Sequence, residues 1–465
     1  MTDPTGPWVA AAEIAAAVTR GAVSARAVTE AALARIAGDN PRVNAYTDVT
    51  VDRALAEARA IDAARAAGAA LGPLAGVPFA VKNLFDIAGL PTRAGSKINR
   101  ERAPATRDGV LLRRMTASGA VLLGGLNMGE YAYDFTGENA HDGACRNPHD
   151  PDRMTGGSSS GCGAATGAGL APVSLGSDTN GSIRVPASLC GVFSLKPTYG
   201  RLPRTGAFPF VDSLDHLGPF ARTAADLALA YDALQGPDPH DHACAQRLVE
   251  PTAPRLGEGV AGLRFGVADG WFLEKSGGEA RAALASVAEM FGAKPVSLDG
   301  VEAGRAAAYI ITNSESAAFH LDRLRTRATD FDPDTRDRFL AGALLPAAWA
   351  VRAQRVRQWW LERMLEVFRG LDLILAPATP CAAPLIGQKT LELGGATLPL
   401  RPNLGLMAQP FSCVGLPVVT VPVFAAGAMP IGVQIIAPPW REDMALRAAA
   451  ELERAGLAVA HPPTA

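Results

Sequence analysis

Lysine is scarce in this 465-residue chain. It occurs six times, at positions 82, 97, 196, 275, 294 and 389, and arginine supplies the other 38 of the 44 basic residues. Positive charge is thus normally carried by a group that does not deprotonate, so each lysine raises the question of what arginine could not do there. Cysteine is sparse as well. The six cysteines are scattered and none forms a C-x-x-C pair, which leaves a zinc ribbon or dithiol redox motif unsupported and predicts buried free thiols in a reducing cytoplasm. No uninterrupted apolar run is long enough to span a bilayer. The N-terminal stretch carries Asp3 and Glu13 and no basic leader, so neither a membrane segment nor a signal peptide is predicted. A net charge of −2 gives no pointer to nucleic acid or to an anionic membrane. What is present is 48% apolar and 19% charged residues, the composition of a folded protein.

Residues 8–70 are rich in Ala and Arg with helical periodicity. Ser24 reads as the N-cap of a helix reaching Ile36, Asp39-Asn40-Pro41 as a turn, and Val51 to Ala67 as a second helix. From Leu71 onward, Gly and Pro bracket short apolar runs at Val77–Val81, Val121–Leu123, Pro172–Leu175 and Val192–Leu195. Gly109–Ser118 is helical between them. Such alternation predicts a mixed or parallel sheet covered by helices. Residues 220–235 and 275–291 read as helices, and 302–369 as a long helix-rich block whose Arg-rich end is a solvated face. Strand-like runs return at Leu371–Ala376, Val418–Val423 and Ile431–Ile436, before a last helix over Asp443–Gly456. No repeat, low-complexity linker or charge shift divides the chain, so residues 1–465 are expected to form a single α/β domain.

Small residues dominate 154–186. Gly157-Ser158-Ser159-Ser160-Gly161 matches the G-x-S-x-G nucleophile elbow, but that elbow needs a buried strand immediately before it. The preceding Arg146-Asn-Pro-His-Asp-Pro-Asp-Arg153 is polar, with two prolines, and cannot be a central strand. Phosphate-cradle spacings are missing too. Further on, Ala171–Gly176 reads as a short strand that leads into Ser177-Asp-Thr-Asn-Gly-Ser182. A serine on a tight turn after a strand sits beside several backbone N–H groups, which can form an oxyanion hole. Its hydroxyl needs a base. His141, His149 and His216 are candidates from the middle of the chain. Lys82 is another: it ends the apolar run Val77-Pro-Phe-Ala-Val81, where burial would disfavour the ammonium.

With these residues in view, the chain resembles the amidase signature family. The resemblance rests on Gly76-Val-Pro-Phe-Ala-Val-Lys82-Asn, Gly156-Gly157-Ser158-Ser159 and Asp178-Thr-Asn-Gly-Ser182-Ile-Arg184, with Leu195-Lys-Pro-Thr198 and Gly432-Val-Gln434 as flanking pieces. It implies a central mixed β-sheet covered by helices. Ser182 would be the nucleophile, Ser158 a proton bridge and neutral Lys82 the base. Backbone N–H groups of Thr179, Asn180, Gly181 and Ser182 would hold the oxyanion, with no metal or cofactor. Two departures from the family pattern stand out. Asn180 replaces a usual glycine and is expected to tolerate a left-handed turn there, and Ser160 and Cys162 replace small residues that could narrow the pocket.

Within the family, Lys82-Asn-Leu-Phe-Asp, Ala94-Gly-Ser-Lys-Ile-Asn, Gly124-Gly-Leu-Asn-Met, the stretch from Ser177 to Gly191 and Asp215-His-Leu-Gly-Pro resemble the 1-carboxybiuret hydrolases of cyanuric acid breakdown (s-triazine catabolism). That branch implies ammonia release from a small carboxylated ureide and a small helical partner subunit, in a heterotetramer of two copies of each chain. The alternatives are the glutamine-hydrolysing A subunit of an aminoacyl-tRNA amidotransferase and a general small-amide or aryl-amide amidase. Tyr133, His216 and Arg338 are the expected substrate-binding residues. Arg338 opens an Arg-x-x-x-Gly342 element like the one with which the amidotransferase relatives grip a carboxylate.

Overall fold

The computed structural model describes residues 3–463. The apolar runs become strands: β1 (Tyr46–Val49), β2 (Pro78–Lys82), β3 (Val121–Leu126), β4 (Val173–Asp178), β5 (Phe193–Lys196), β6 (His216–Ala221), β7 (Phe265–Ala268), β8 (Lys294–Val296), β9 (Leu373–Pro377), the hairpin β10 (Thr390–Leu393) and β11 (Ala396–Pro399), β12 (Val418–Val423) and β13 (Ile431–Ile436). All but the hairpin join one 11-stranded sheet in the order β1-β3-β2-β4-β6-β5-β12-β13-β9-β7-β8. The sheet is mixed. β2 runs parallel to β3 and β4, whereas β4 meets β6 antiparallel, and β12 is antiparallel to both β5 and β13.

Every residue of β2, β3, β4, β5, β6, β9 and β13 is buried, so both faces of the sheet centre are covered. Because β2 and β4 are parallel neighbours, their C-terminal ends, Lys82 and Asp178, open on the same edge of the sheet. The crevice outside strand carboxyl ends is where open α/β sheets place their ligands. No helix of the described residues is long and apolar enough to cross a membrane.

Some local expectations fail for identifiable reasons. Ser24 does cap a helix, accepting from the Ala27 amide at 3.0 Å, but the helix runs Ala25–Val43 with Pro41 inside it. The chain reverses instead at Asn44, whose φ is 51° and whose side chain donates to the Asp142 carbonyl at 2.9 Å. Residues 220–221 belong to β6, and the helix begins only at Ala224, capped by Thr223. The block 302–369 is three helices, Val301–Arg327, Pro333–Ala343 and Ala347–Gly370. Its Arg-rich end is not purely solvated charge, because Trp349, Val351 and Trp359 of the helix Ala347–Gly370 are exposed.

Candidate active site

Lys82 is fully buried. Its Nζ donates to Ser158 Oγ at 2.7 Å and to Ser177 Oγ at 2.9 Å. No carboxylate pairs with it among the described residues. Burial therefore dominates and pushes the lysine pKa down to about 7, against the weaker opposing fields of Cys162, Asp215, Asp178 and Asp134. A lysine in this state is partly neutral near pH 7 and can accept a proton. Guanidinium in the same place could not.

The neighbouring serines differ sharply. Ser159 Oγ is buried and engaged, donating to the Ser177 carbonyl at 3.1 Å and accepting from the Ser177 amide at 3.3 Å. It staples two segments together, and no strand precedes it. Ser182 Oγ, by contrast, makes no hydrogen bond among the described residues and faces a cavity. The Ser182 carbonyl accepts from the Ser159 amide at 3.2 Å, which ties the turn of Ser182 to the segment that carries Ser158. No side-chain hydrogen bond joins Ser158 to Ser182 among the described residues. Catalytic contacts of this kind are often long before substrate binds.

A buried ion pair shapes the turn. Asp178 and Arg184 are both completely buried, with Arg184 Nε 2.9 Å from one carboxylate oxygen and Nη2 3.0 Å from the other. Burial alone would raise the Asp178 pKa, but the charge and hydrogen bonds of Arg184 outweigh it and hold the carboxyl well below its usual range. Asp178 also accepts the amides of Gly181 at 2.7 Å and Ile183 at 3.2 Å. Arg184 is anchored in turn by Gln434 Oε1 at 2.7 Å and the Ala408 carbonyl at 3.0 Å. The left-handed position of the turn is Gly181, with φ of 130°, where a Cβ would come within 2.7 Å of Ala408 Cβ. Asn180 needs no left-handed conformation, contrary to expectation. Of the four amides expected to hold an oxyanion, that of Gly181 is held by Asp178, whereas the N–H groups of Thr179, Asn180 and Ser182 find no acceptor among the described residues.

The cavity in front of Ser182 is tight, with a volume of about 10 Å³. Thr179, Asn180, Tyr133, Tyr309, Thr312, Gln409 and Arg338 share its wall. Arg338 lies over the Tyr133 ring at 3.6 Å and donates to the Tyr133 carbonyl at 2.9 Å. It has no carboxylate partner among the described residues. The Tyr133 hydroxyl donates to Asn313, and burial pushes its pKa up to about 12. His216 is not part of this wall. It sits behind the turn, its Nδ1 at 3.1 Å from the Asp178 carbonyl and 2.6 Å from that of Leu214, and burial lowers its pKa far below the usual histidine value. Ser160 and Cys162 also lie off the wall, pointing to the carbonyls of Asn127 and Leu175.

The amidase family model matches residues 27–446. The chain belongs to the amidase family. It is 54% identical, over 96% of its length and 98% of the other protein's, to the 1-carboxybiuret hydrolase subunit AtzE of Pseudomonas sp. (strain ADP). It is 36% identical, over 96% of both chains, to the A subunit of the glutamyl-tRNA(Gln) amidotransferase of Chloroflexus aurantiacus (strain ATCC 29366 / DSM 635 / J-10-fl). A solved structure from a vestigial protein complex that reveals the evolutionary origins of an s-triazine catabolic enzyme superposes with a TM-score of 0.96 at 54% identity, covering 97% of this chain and all of the other. A bacterial aryl acylamidase superposes at 0.89 with 26% identity, covering 96% of each chain. This amidase is accordingly a hydrolase of amide C–N bonds.

Two residues of the amidase site carry no strong local signal. Ser177 is the second partner of Lys82, readable only as the last small polar residue before Asp178. Gln409, on a short helix far along the chain, reaches the cavity with its Oε1 taken by Arg305 Nε at 2.8 Å. That leaves its Nε2 as a donor at the wall.

Proposed function

We propose that this amidase releases ammonia from the terminal amide of a small carboxylated ureide such as 1-carboxybiuret, through an acyl-enzyme on Ser182. Ser182 Oγ attacks the carbonyl carbon and passes its proton to Ser158, which passes its own to neutral Lys82. The oxyanion is held by the amides of Thr179, Asn180 and Ser182. The proton then returns through Ser158 to the departing nitrogen, which leaves as ammonia, and water hydrolyses the acyl-enzyme by the reverse relay.

The observation that carries the substrate class is the meeting, in one narrow cavity, of a serine hydroxyl and the guanidinium of Arg338, which has no carboxylate partner among the described residues. A guanidinium fork matches a carboxylate. The similarity to the AtzE protein supports the same reading. Glutamine hydrolysis for an amidotransferase is the second reading, since a glutamine carboxylate would suit Arg338 equally. The reading also includes a cytoplasmic setting and a small helical partner subunit in a heterotetramer. The apolar side chains exposed on the outer helices, Leu344, Trp349, Val351 and Trp359, suit such docking. Ammonia release across carboxylated ureides, glutamine and simple amides tests the substrate. Ureides should lead the panel, and glutamine leading it would select the second reading.

A further inference from the structure

Asn180 is 6% exposed and shares the cavity wall with Ser182. Its Nδ2 donates to Thr312 Oγ1 at 2.7 Å, which fixes the plane of the amide. Its Oδ1 is sealed from solvent and has no donor among the described residues. A buried acceptor left unpaired is costly, and one at a ligand cavity is explained by a donor that arrives with the ligand. Backbone geometry does not account for the residue, because the left-handed position is Gly181. The rest of the wall is rich in donors: the Arg338 guanidinium, Gln409 Nε2 and the free amides of the turn.

We infer that Asn180 is a specificity residue whose Oδ1 accepts the N–H beside the scissile carbonyl, the group that a ureide has and a simple amide lacks. The inference rests on the proposed ureide activity and deepens it. A ureide places an acceptor, its carbonyl oxygen, next to a donor, that N–H. Asn180 offers the complement from one residue, with its backbone N–H toward the carbonyl oxygen and Oδ1 toward the N–H. A substrate with CH₂ at that position fits the same volume but leaves Oδ1 unpaired. A site built to bond a polar group discriminates in this way against the analogue that lacks it.

The test compares hydantoate with succinamate, two carboxylated substrates of equal length that differ by NH against CH₂ next to the carbonyl. The readout is the ratio of kcat/KM for ammonia release by the full chain, so losses common to both cancel. Where turnover is slow, the ratio of competitive inhibition constants replaces it. The wild type should favour hydantoate, and Asn180→Gly should lower that ratio by roughly 10- to 100-fold. Thr312→Val, which releases the amide plane, should lower it by a smaller factor. A wild type that prefers hydantoate with a ratio unchanged in Asn180→Gly would overturn the role of Asn180 and leave the ureide reading standing. A wild type without preference for hydantoate would overturn the ureide reading itself.

Discussion

Lys82 Nζ stands 2.7 Å from Ser158 Oγ in a fully buried setting, with no carboxylate paired to it among the described residues. Removing an ammonium from water without a counter-charge favours its neutral form. The hydroxyl beside it can take a proton from one side and give one to the other. The combination suits the proposed base and proton bridge, and Ser182 lines the cavity that Arg338 also lines.

The identity of the base gives the first prediction. Lys82→Arg and Lys82→Ala should both cut kcat by about 10²–10⁴-fold, since neither offers a neutral amine. Arg is the residue this chain otherwise prefers, so the conservative change is the sharper probe. Steady-state ammonia release checks it, and a Lys82→Arg enzyme with most of its activity at pH 7 would rule out Lys82 as the base.

The lysine pKa near 7 predicts the acid limb of the pH profile. Protonated Lys82 cannot accept the serine proton, so kcat/KM should fall as pH drops below about 7, by roughly tenfold per unit once the limb is reached. An uncharged amide is the substrate of choice, because its own ionisation then contributes nothing. A flat profile from pH 5 to 8 would place the base elsewhere.

The Asp178–Arg184 pair predicts a stability effect distinct from catalysis. Arg184→Met leaves Asp178 buried and uncompensated, a change that costs about 3–5 kcal/mol. It also loosens the carboxylate that holds the Gly181 and Ile183 amides. Urea unfolding followed by circular dichroism should show the loss, and a change below about 1 kcal/mol would mean that the pair is dispensable.

Arg338 predicts a change of preference. Arg338→Met removes the fork and should raise KM for a carboxylated substrate relative to an uncharged amide, by a factor equivalent to at most a few kcal/mol. Parallel kinetics on the two substrates give the ratio. Equal losses on both would assign Arg338 to the support of Tyr133, over whose ring it lies.

Much of the fold is legible because its strands are buried on both faces and read as short apolar runs. Val418–Val423 and Ile431–Ile436 coincide with β12 and β13. β6 is hidden because Gly218 and Pro219 interrupt its pattern, although Pro219 sits within the strand opposite Leu175. β7 and β8 are too brief to stand out, and Pro41 marks a turn that tertiary contacts at Asn44 relocate. At the site, Lys82, Ser158 and Ser182 are recognisable from their local context, a lysine on an apolar strand and serines on glycine-rich turns. Arg338 and Tyr133 both line the cavity. His216 does not, because its strand position turns the ring toward the carbonyls of Asp178 and Leu214. Ser177 and Gln409 owe their places to strand register and to a distant helix, which no local pattern reports.

The most direct test of Ser182 as nucleophile is covalent. The full-length protein is treated with a fluorophosphonate, and the modified residue is mapped by peptide mass spectrometry in the wild type and in Ser182→Ala. The predicted result is a single adduct on Ser182, lost in Ser182→Ala without loss of folding and reduced in Lys82→Ala. An adduct on Ser159, or labelling that survives in Ser182→Ala, would contradict it.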